Sequence, residues 1–275
     1  WRNKKQLNGV LDFIVYDASP AWTSQGLIFI STRDLEGMPS WVKTTAQLMI
    51  MGQNNQVAYV TSDLEDYPST ASGLLNTSWI ATERQGWTYA CDLKTGTYRI
   101  LGHPKRAAPS ATVNADGSWA VISATGHTDN SDLDLMADKL ERDPQLGLRG
   151  RLVMPDGDEF LPLFSPDGQW VYFITTSENK EGWDYKLQRL AAKDALTKDL
   201  ARIKPEQVQT IAKLSEDVQR MSFFPDGQRV LLQNRKGMFV VSVPEGKVTR
   251  VVPQDPEDVE VGAPITETRD GWAGP

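Results

Sequence analysis

Short apolar runs of strand length recur along the chain, and each is entered through a polar turn that closes on glycine. Two copies are nearly identical, SPDGQWVYF from Ser165 to Phe173 and FPDGQRVLL from Phe224 to Leu232; NADGSWAVI from Asn114 to Ile122 is a third and TSQGLIFI from Thr23 to Ile30 a looser fourth. Glycine takes the backbone conformation that ends a tight turn. The β-branched and aromatic residues after it favour a buried strand. Recurrence of one phrase at wide, fairly even spacing is the signature of a repeat architecture.

Around each copy the pattern extends to further strands. SPDGQWVYFITT is preceded by DEFLPLF (Asp158 to Phe164) and followed by GWDYKLQRL; FPDGQRVLLQNR is followed by KGMFVVSV, the turn PEGK and VTRVV. LLNTSWIATER, QGWTYACDL, the turn KTGT and YRIL repeat that order from Leu74 to Leu101. Four antiparallel strands in about 40 to 50 residues make one propeller blade. The expected blades are 20–62, 74–101, 108–154, 159–214 and 218–252 within a single propeller domain spanning 1–275. A last blade closed by the strand-like 10–16 together with 257–275 gives six, with five as the alternative.

Two blades carry insertions. Leu196, Leu200 and Ile203 in AAKDALTKDLARI (Ala191 to Ile203) fall at helical spacing among charges, which predicts a short surface helix stopped by Pro205. ADKLERDPQLGLRG (Ala137 to Gly150) reads as a helical turn followed by a loop.

Composition narrows the function classes. A net charge of −7, with basic residues scattered along the chain, argues against nucleic acid, whose phosphates need a concentrated basic surface. The one cysteine, Cys91, excludes an internal disulfide and the common structural zinc sites, and its strand-like surroundings predict a buried, inert thiol. No apolar run is long enough to cross a bilayer as a helix. The chain starts at Trp1, which leaves room for an upstream signal, anchor or domain in a parent protein.

The SPDG phrase, the Gly-Trp-Asp-Tyr strand that follows it and the Asp-Leu-Lys-Thr-Gly turn at 92–96 resemble the TolB-type propeller repeat over about 20–252. Asp167-Gly168 and Asp226-Gly227 match strongly, Asp116-Gly117 fairly; NSDLDLM (Asn130 to Met136) and EGWDYKL (Glu181 to Leu187) fit the family's third strand. The resemblance implies an all-β propeller, a periplasmic location, or a membrane-anchored one facing the periplasm, and a protein or peptide of the cell envelope as partner. TolB itself has an amino-terminal α/β domain, which the roughly 19 residues before the first expected blade do not supply. The same propeller also accompanies prolyl oligopeptidase-type enzymes, but no Gly-x-Ser-x-Gly elbow is present.

Catalytic and cofactor chemistry find little support in the residues, and none is expected. His103 and His127 are the only histidines, and neither has a second ligand at helical spacing. His127, in TGHTDNSD beside Asp129 and Asp132, is a candidate contact residue, although the loop lacks a calcium-loop spacing. Nine tryptophans leave a carbohydrate-active propeller as the alternative function; Trp119, Trp170 and Trp79 read as packing residues and Trp22, Trp87 and Trp183 as the better surface candidates. Aligned at the far ends of the repeated strands, Arg33, Arg84 and Arg235 stand where the third and fourth blades have Thr125 and Thr176. Three arginines around one channel mouth suit a carboxylate, a phosphate or an acidic peptide; the plain alternative is that each braces its own loop.

Overall fold

The structure is a computed structural model that describes residues 6–7, 11–12, 17–31, 47–52, 56–59, 68–73, 78–84, 87–95, 97–101, 110–125, 133–140, 150–153, 157–180, 182–196, 201–224, 226–234 and 237–252. Strands β1 (Gln6–Leu7) and β2 (Leu11–Asp12) form a small hairpin. Five sheets follow among the described residues, each built on a four-stranded antiparallel meander. The first contains β3 (Asp17–Thr23), β4 (Gly26–Ser31), β5 (Gln47–Met51) and β6 (Val57–Tyr59), and the second β7 (Pro68–Gly73), β8 (Trp79–Arg84), β9 (Trp87–Asp92) and β10 (Tyr98–Ile100). The third contains β11 (Ser110–Val113), β12 (Trp119–Thr125), β13 (Leu133–Lys139) and β14 (Gly150–Val153). The fourth runs through β15 (Asp158–Phe164), β16 (Trp170–Asn179) and β17 (Gly182–Ala191), leaves the sheet through helix α1 (Ala192–Ala195) and β18 (Ala201–Arg202), and returns as β19 (Val208–Leu214). The fifth is β20 (Arg220–Phe223), β21 (Arg229–Asn234), β22 (Gly237–Ser242) and β23 (Val248–Val252).

The repeated phrase folds the same way three times. The amides of Gly117, Gly168 and Gly227 donate to the carbonyls of Asn114, Ser165 and Phe224, at 3.0, 2.8 and 3.0 Å. The aspartate before each glycine accepts from the amide two residues on: Ser118 to Asp116 at 2.8 Å, Gln169 to Asp167 at 3.0 Å, Gln228 to Asp226 at 2.9 Å. All three glycines have φ between 66 and 70°, where an L side chain is strained. The turn therefore needs both residues of the Asp-Gly pair.

Residues after the turn glycine alternate between two neighbours, as the pleat requires. Val171 and Phe173 pack with Val121 and Leu135 of the third sheet, whereas Tyr172 and Ile174 pack with Val230, Leu232 and Val241 of the fifth. Ala120 and Ile122 turn back to Ala81 and Ala90 of the second sheet, and Ile28 and Ile30 turn forward to Ile80 and Cys91. A sheet between two others thus needs an unbroken apolar run, because both of its faces are interior. First strands also meet in order, β3 with β7, β7 with β11, β11 with β15 and β15 with β20.

Two expectations need correction. The insertion after β17 is one helical turn, with Ala192 and Ala195 buried, and not a helix through Ile203. Its later part forms β18, which pairs in parallel with β14 (Leu152 with Ala201, Val153 with Arg202) and covers the outer edge of the third sheet. Leu196 and Ile203 still pack on the core, but from two separate segments. Pro205 opens a 3-10 turn instead of ending a helix. In the other insertion, Ala137 to Lys139 belong to β13 and Gly150 opens β14, while 141–149 lie outside the described residues. Of the proposed closing blade, Leu11 pairs with Leu7 and Asp12 with Gln6 in the small hairpin, and 13–16 and 257–275 lie outside the described residues.

Candidate functional site

The two ends of the sheets differ in chemistry. At the end carrying the Asp-Gly turns, a groove of about 320 Å³ opens between the fourth and fifth sheets. Arg189 borders it together with Trp170, Tyr172, Asp167, Asp226 and Pro244. The two-residue turn after β16 sets Tyr172 directly opposite Arg189. The Arg189 guanidinium lies 3.9 Å from the centre of the Trp170 ring, donates to the Tyr172 hydroxyl at 3.0 Å and donates from Nε to Gln209 at 3.0 Å. Stacking and two directed bonds hold the fork in one orientation. Tyr172 is buried edge-on against Phe223 at 5.0 Å; burial pushes its phenol up, against the opposing pull of Arg189.

Two aspartates stand at the rim. A Cβ on Gly227 would lie 3.6 Å from Pro166, so the turns holding Asp167 and Asp226 abut. The Gln228 amide first, with Arg229 beside it, holds the Asp226 carboxyl below its ordinary value. Arg229 reaches Asp226 at 2.7 Å.

The opposite end carries four of the residues singled out from sequence, Arg84, Thr125, Thr176 and Trp183. There β16 and β17 run past the rest of their sheet: the pairs Ser177–Asp184, Glu178–Trp183 and Asn179–Gly182 have no further strand beside them among the described residues. Three residue pairs make an overhang of about 10 Å. Trp183 stands on it 59% exposed, so the expectation of a surface tryptophan holds for it, as for Trp22 at the other end at 57%. The side chain of Trp87 is not among those described. Thr176 is only 9% exposed, and its hydroxyl finds no hydrogen-bond partner among the described residues. Thr125 and Arg84 are the last residues of β12 and β8. Arg84 comes five positions after Trp79, whereas Thr125 and Thr176 come six after Trp119 and Trp170, so Arg84 is one step out of register with the two threonines. Arg33, His127 and Arg235 lie outside the described residues.

Elsewhere, Cys91 is 1% exposed and its thiol is pushed up to about 11, first by burial and then by Asp92. Among the described residues no group of three or more His, Cys, Asp or Glu side chains is arranged to hold a metal ion, and no helix is long and apolar enough to cross a membrane. Sequence reasoning missed Arg189 and the overhang. Both follow from one number, the length of the turn at 180–181, which sets the register of the whole β16–β17 hairpin.

Successive four-stranded meanders packed face to face through an ordered set of first strands define a β-propeller fold. The fold is TolB-like. TolB from Acinetobacter baumannii superposes with a TM-score of 0.57 at 15% identity over 89% of this chain and 56% of that one. A putative TolB from Agrobacterium tumefaciens gives 0.56 at 15% identity over 87% and 82%. A gluconolactonase from Xanthomonas campestris gives 0.52 at 12% identity over 87% and 76%. The chain therefore spans just over half the length of the Acinetobacter TolB. No family model matches the sequence, and no curated protein does.

Proposed function

We propose that this chain is a non-catalytic propeller scaffold of the bacterial cell envelope, periplasmic in location, which binds a protein or peptide partner at the end of its sheets that bears Trp183. The observation that carries the reading is the overhanging β16–β17 tip with its tryptophan 59% exposed. An indole held out on paired strands has already lost much of its conformational freedom, so covering it gains burial at low entropic cost. Tryptophan is also among the residues that dominate interface energies. Arg33, Arg84 and Arg235, with Thr125 and His127, belong to the same proposed surface, the arginines favouring an acidic partner, whereas Thr176, 9% exposed, lies beneath it. Likeness to two TolB structures supports the envelope setting.

A carbohydrate-active reading has less support. In the groove, one face of Trp170 is covered by Arg189 at 3.9 Å, which removes a stacking surface a sugar ring would use.

The test is retention of envelope proteins on the immobilised chain, compared with Trp183→Ala and with the triple Arg33→Glu, Arg84→Glu, Arg235→Glu variant. Loss of a hot-spot tryptophan weakens a specific partner by about thirtyfold. If both variants held the same partner as firmly as the parent, the proposed surface would be wrong. Thermal stabilisation by an oligosaccharide, unchanged in Trp183→Ala, would favour the carbohydrate reading instead.

A further inference from the structure

The groove at the Asp-Gly end is unrelated to the surface just described, and its construction is specific. A volume of about 320 Å³ is at the small end of ligand pockets, which run from about 300 to 1,000 Å³. On one wall is a guanidinium whose position is over-determined by Trp170, Tyr172 and Gln209. Those bonds use two of the five N–H donors of an arginine. A fixed fork with donors in reserve is a receptor for a carboxylate. Its wall position is two residue steps, roughly 7 Å, in from the turn, since Trp170 pairs with Ala191 and Tyr172 with Arg189.

The rim has the opposite charge. Asp167 and Asp226 come from two turns that touch through Pro166 and Gly227; Asp226 already holds Arg229 at 2.7 Å, so Asp167, with no basic partner among the described residues, is the main seat for a cation. Their presence disfavours a bare dianion such as phosphate, and Arg189 disfavours a ligand that is only cationic. An apolar ligand would strand the charged groups on both sides. From this pairing we infer that the groove binds a ligand carrying a carboxylate for Arg189 and, a short aliphatic stem away, an ammonium group for Asp167 and Asp226. A lysine residue at a peptide carboxyl terminus has that chemistry, and so has free lysine. Val243 and Pro244 line the groove as apolar wall for the stem.

The experiment is calorimetric titration of the intact chain with the tripeptide Gly-Gly-Lys. Its carboxyl-amidated form, its form acetylated on the lysine ammonium, and free L-lysine are titrated in parallel. Binding of Gly-Gly-Lys is expected, and either block weakens it by about tenfold or more, the effect of one lost charge-assisted hydrogen bond. Arg189→Lys removes the fork and abolishes the difference between the acid and the amide. The exposed double variant Asp167→Asn, Asp226→Asn abolishes the difference between the free and acetylated ammonium, and serves even if Arg189→Lys fails to fold. Free lysine binding as well as the tripeptide identifies an amino-acid site; binding of the tripeptide alone identifies a peptide-terminus site. No binding of either, or binding of Gly-Gly-Lys indifferent to both blocks, overturns the inference.

Discussion

The fourth and fifth sheets are built from almost the same phrase, yet among the described residues one has a neighbouring sheet on both faces and the other on only one. In β16, Val171 to Thr176 are all buried, Val171 and Phe173 against the third sheet and Tyr172 and Ile174 against the fifth. In β21, burial alternates: Val230, Leu232 and Asn234 are buried toward the fourth sheet, while Leu231 and Gln233 on the other face are half-buried. The sequence changes where the surroundings do. Tyr172 and Ile174 of the fourth copy correspond to Leu231 and Gln233 of the fifth, and a glutamine is tolerated only because that face is partly wetted. The edge strand β23 leaves Val251, at its bulge, 57% exposed. A repeat phrase therefore specifies the turn and one buried face, and the position in the stack decides the other.

Removing core atoms tests this contrast most severely. Phe173→Ala is expected to cost about 3–5 kcal/mol and Leu232→Ala about 2–5, since both side chains are enclosed between sheets. Leu231→Ala, one residue away in the same strand, should cost about 1 kcal/mol. Urea denaturation of the three variants measures the ordering. Equal losses for Leu231 and Leu232 would mean that the outer face of the fifth sheet is covered after all.

Much of the fold was legible because each blade repeats a short local code. Asp-Gly turns and the strands beside them stand where the phrase places them, as do DEFLPLF as β15 and VTRVV as β23. What escaped was of two kinds. PSTASG, the first strand of the second sheet, lies before the Leu74 at which the sequence pattern begins, because small polar residues carry no strand period and are held by their neighbours. The insertion after β17 has a helical spacing of leucines, but its apolar residues are buried by tertiary contact with the third sheet, and pairing with β14 overrides the local period. For the site, Trp183 was legible as a strand-edge aromatic. Arg189 was not, because its role depends on which residue lies across the hairpin and which sheet lies beside it.

The turns give a contrast of intermediate size. Gly168 and Gly227 share φ near 70°, and a Cβ would meet nothing within 4 Å at Gly168 and only an ordinary contact with Pro166, at 3.6 Å, at Gly227. Alanine at either should cost about 1–2 kcal/mol, the left-handed backbone penalty alone. Gly117 has the same φ, but its Cβ would run into the indole of Trp79, over which Arg99 stacks at 5.8 Å. Gly117→Ala should therefore be the most damaging of the three, by thermal melting. Equal shifts would show that Trp79 yields freely and that the second and third sheets are less firmly joined at this end than the fourth and fifth.

The smallest effect lies in the one turn residue pair that differs in charge. Where the fourth copy has Trp170, the fifth has Arg229, which reaches back to Asp226 at 2.7 Å and lies 4.4 Å from the Phe224 ring. The Gln228 amide and Arg229 depress the Asp226 carboxyl, so the folded state binds this proton less readily than the unfolded chain. Its contribution is then present above the unfolded carboxylate range, about pH 4, and is lost as pH falls through the lower folded value. Asp226→Asn should flatten the acid limb of the melting temperature slightly, and added salt should shrink the difference, because the pair is exposed. Asp167 has the Ser165 hydroxyl and the Gln169 amide as partners and no arginine following, so the salt response of Asp167→Asn should be smaller. An identical salt dependence in the two variants would place the fifth turn's extra stability in its hydrogen bonds and leave the Arg229 pair without weight.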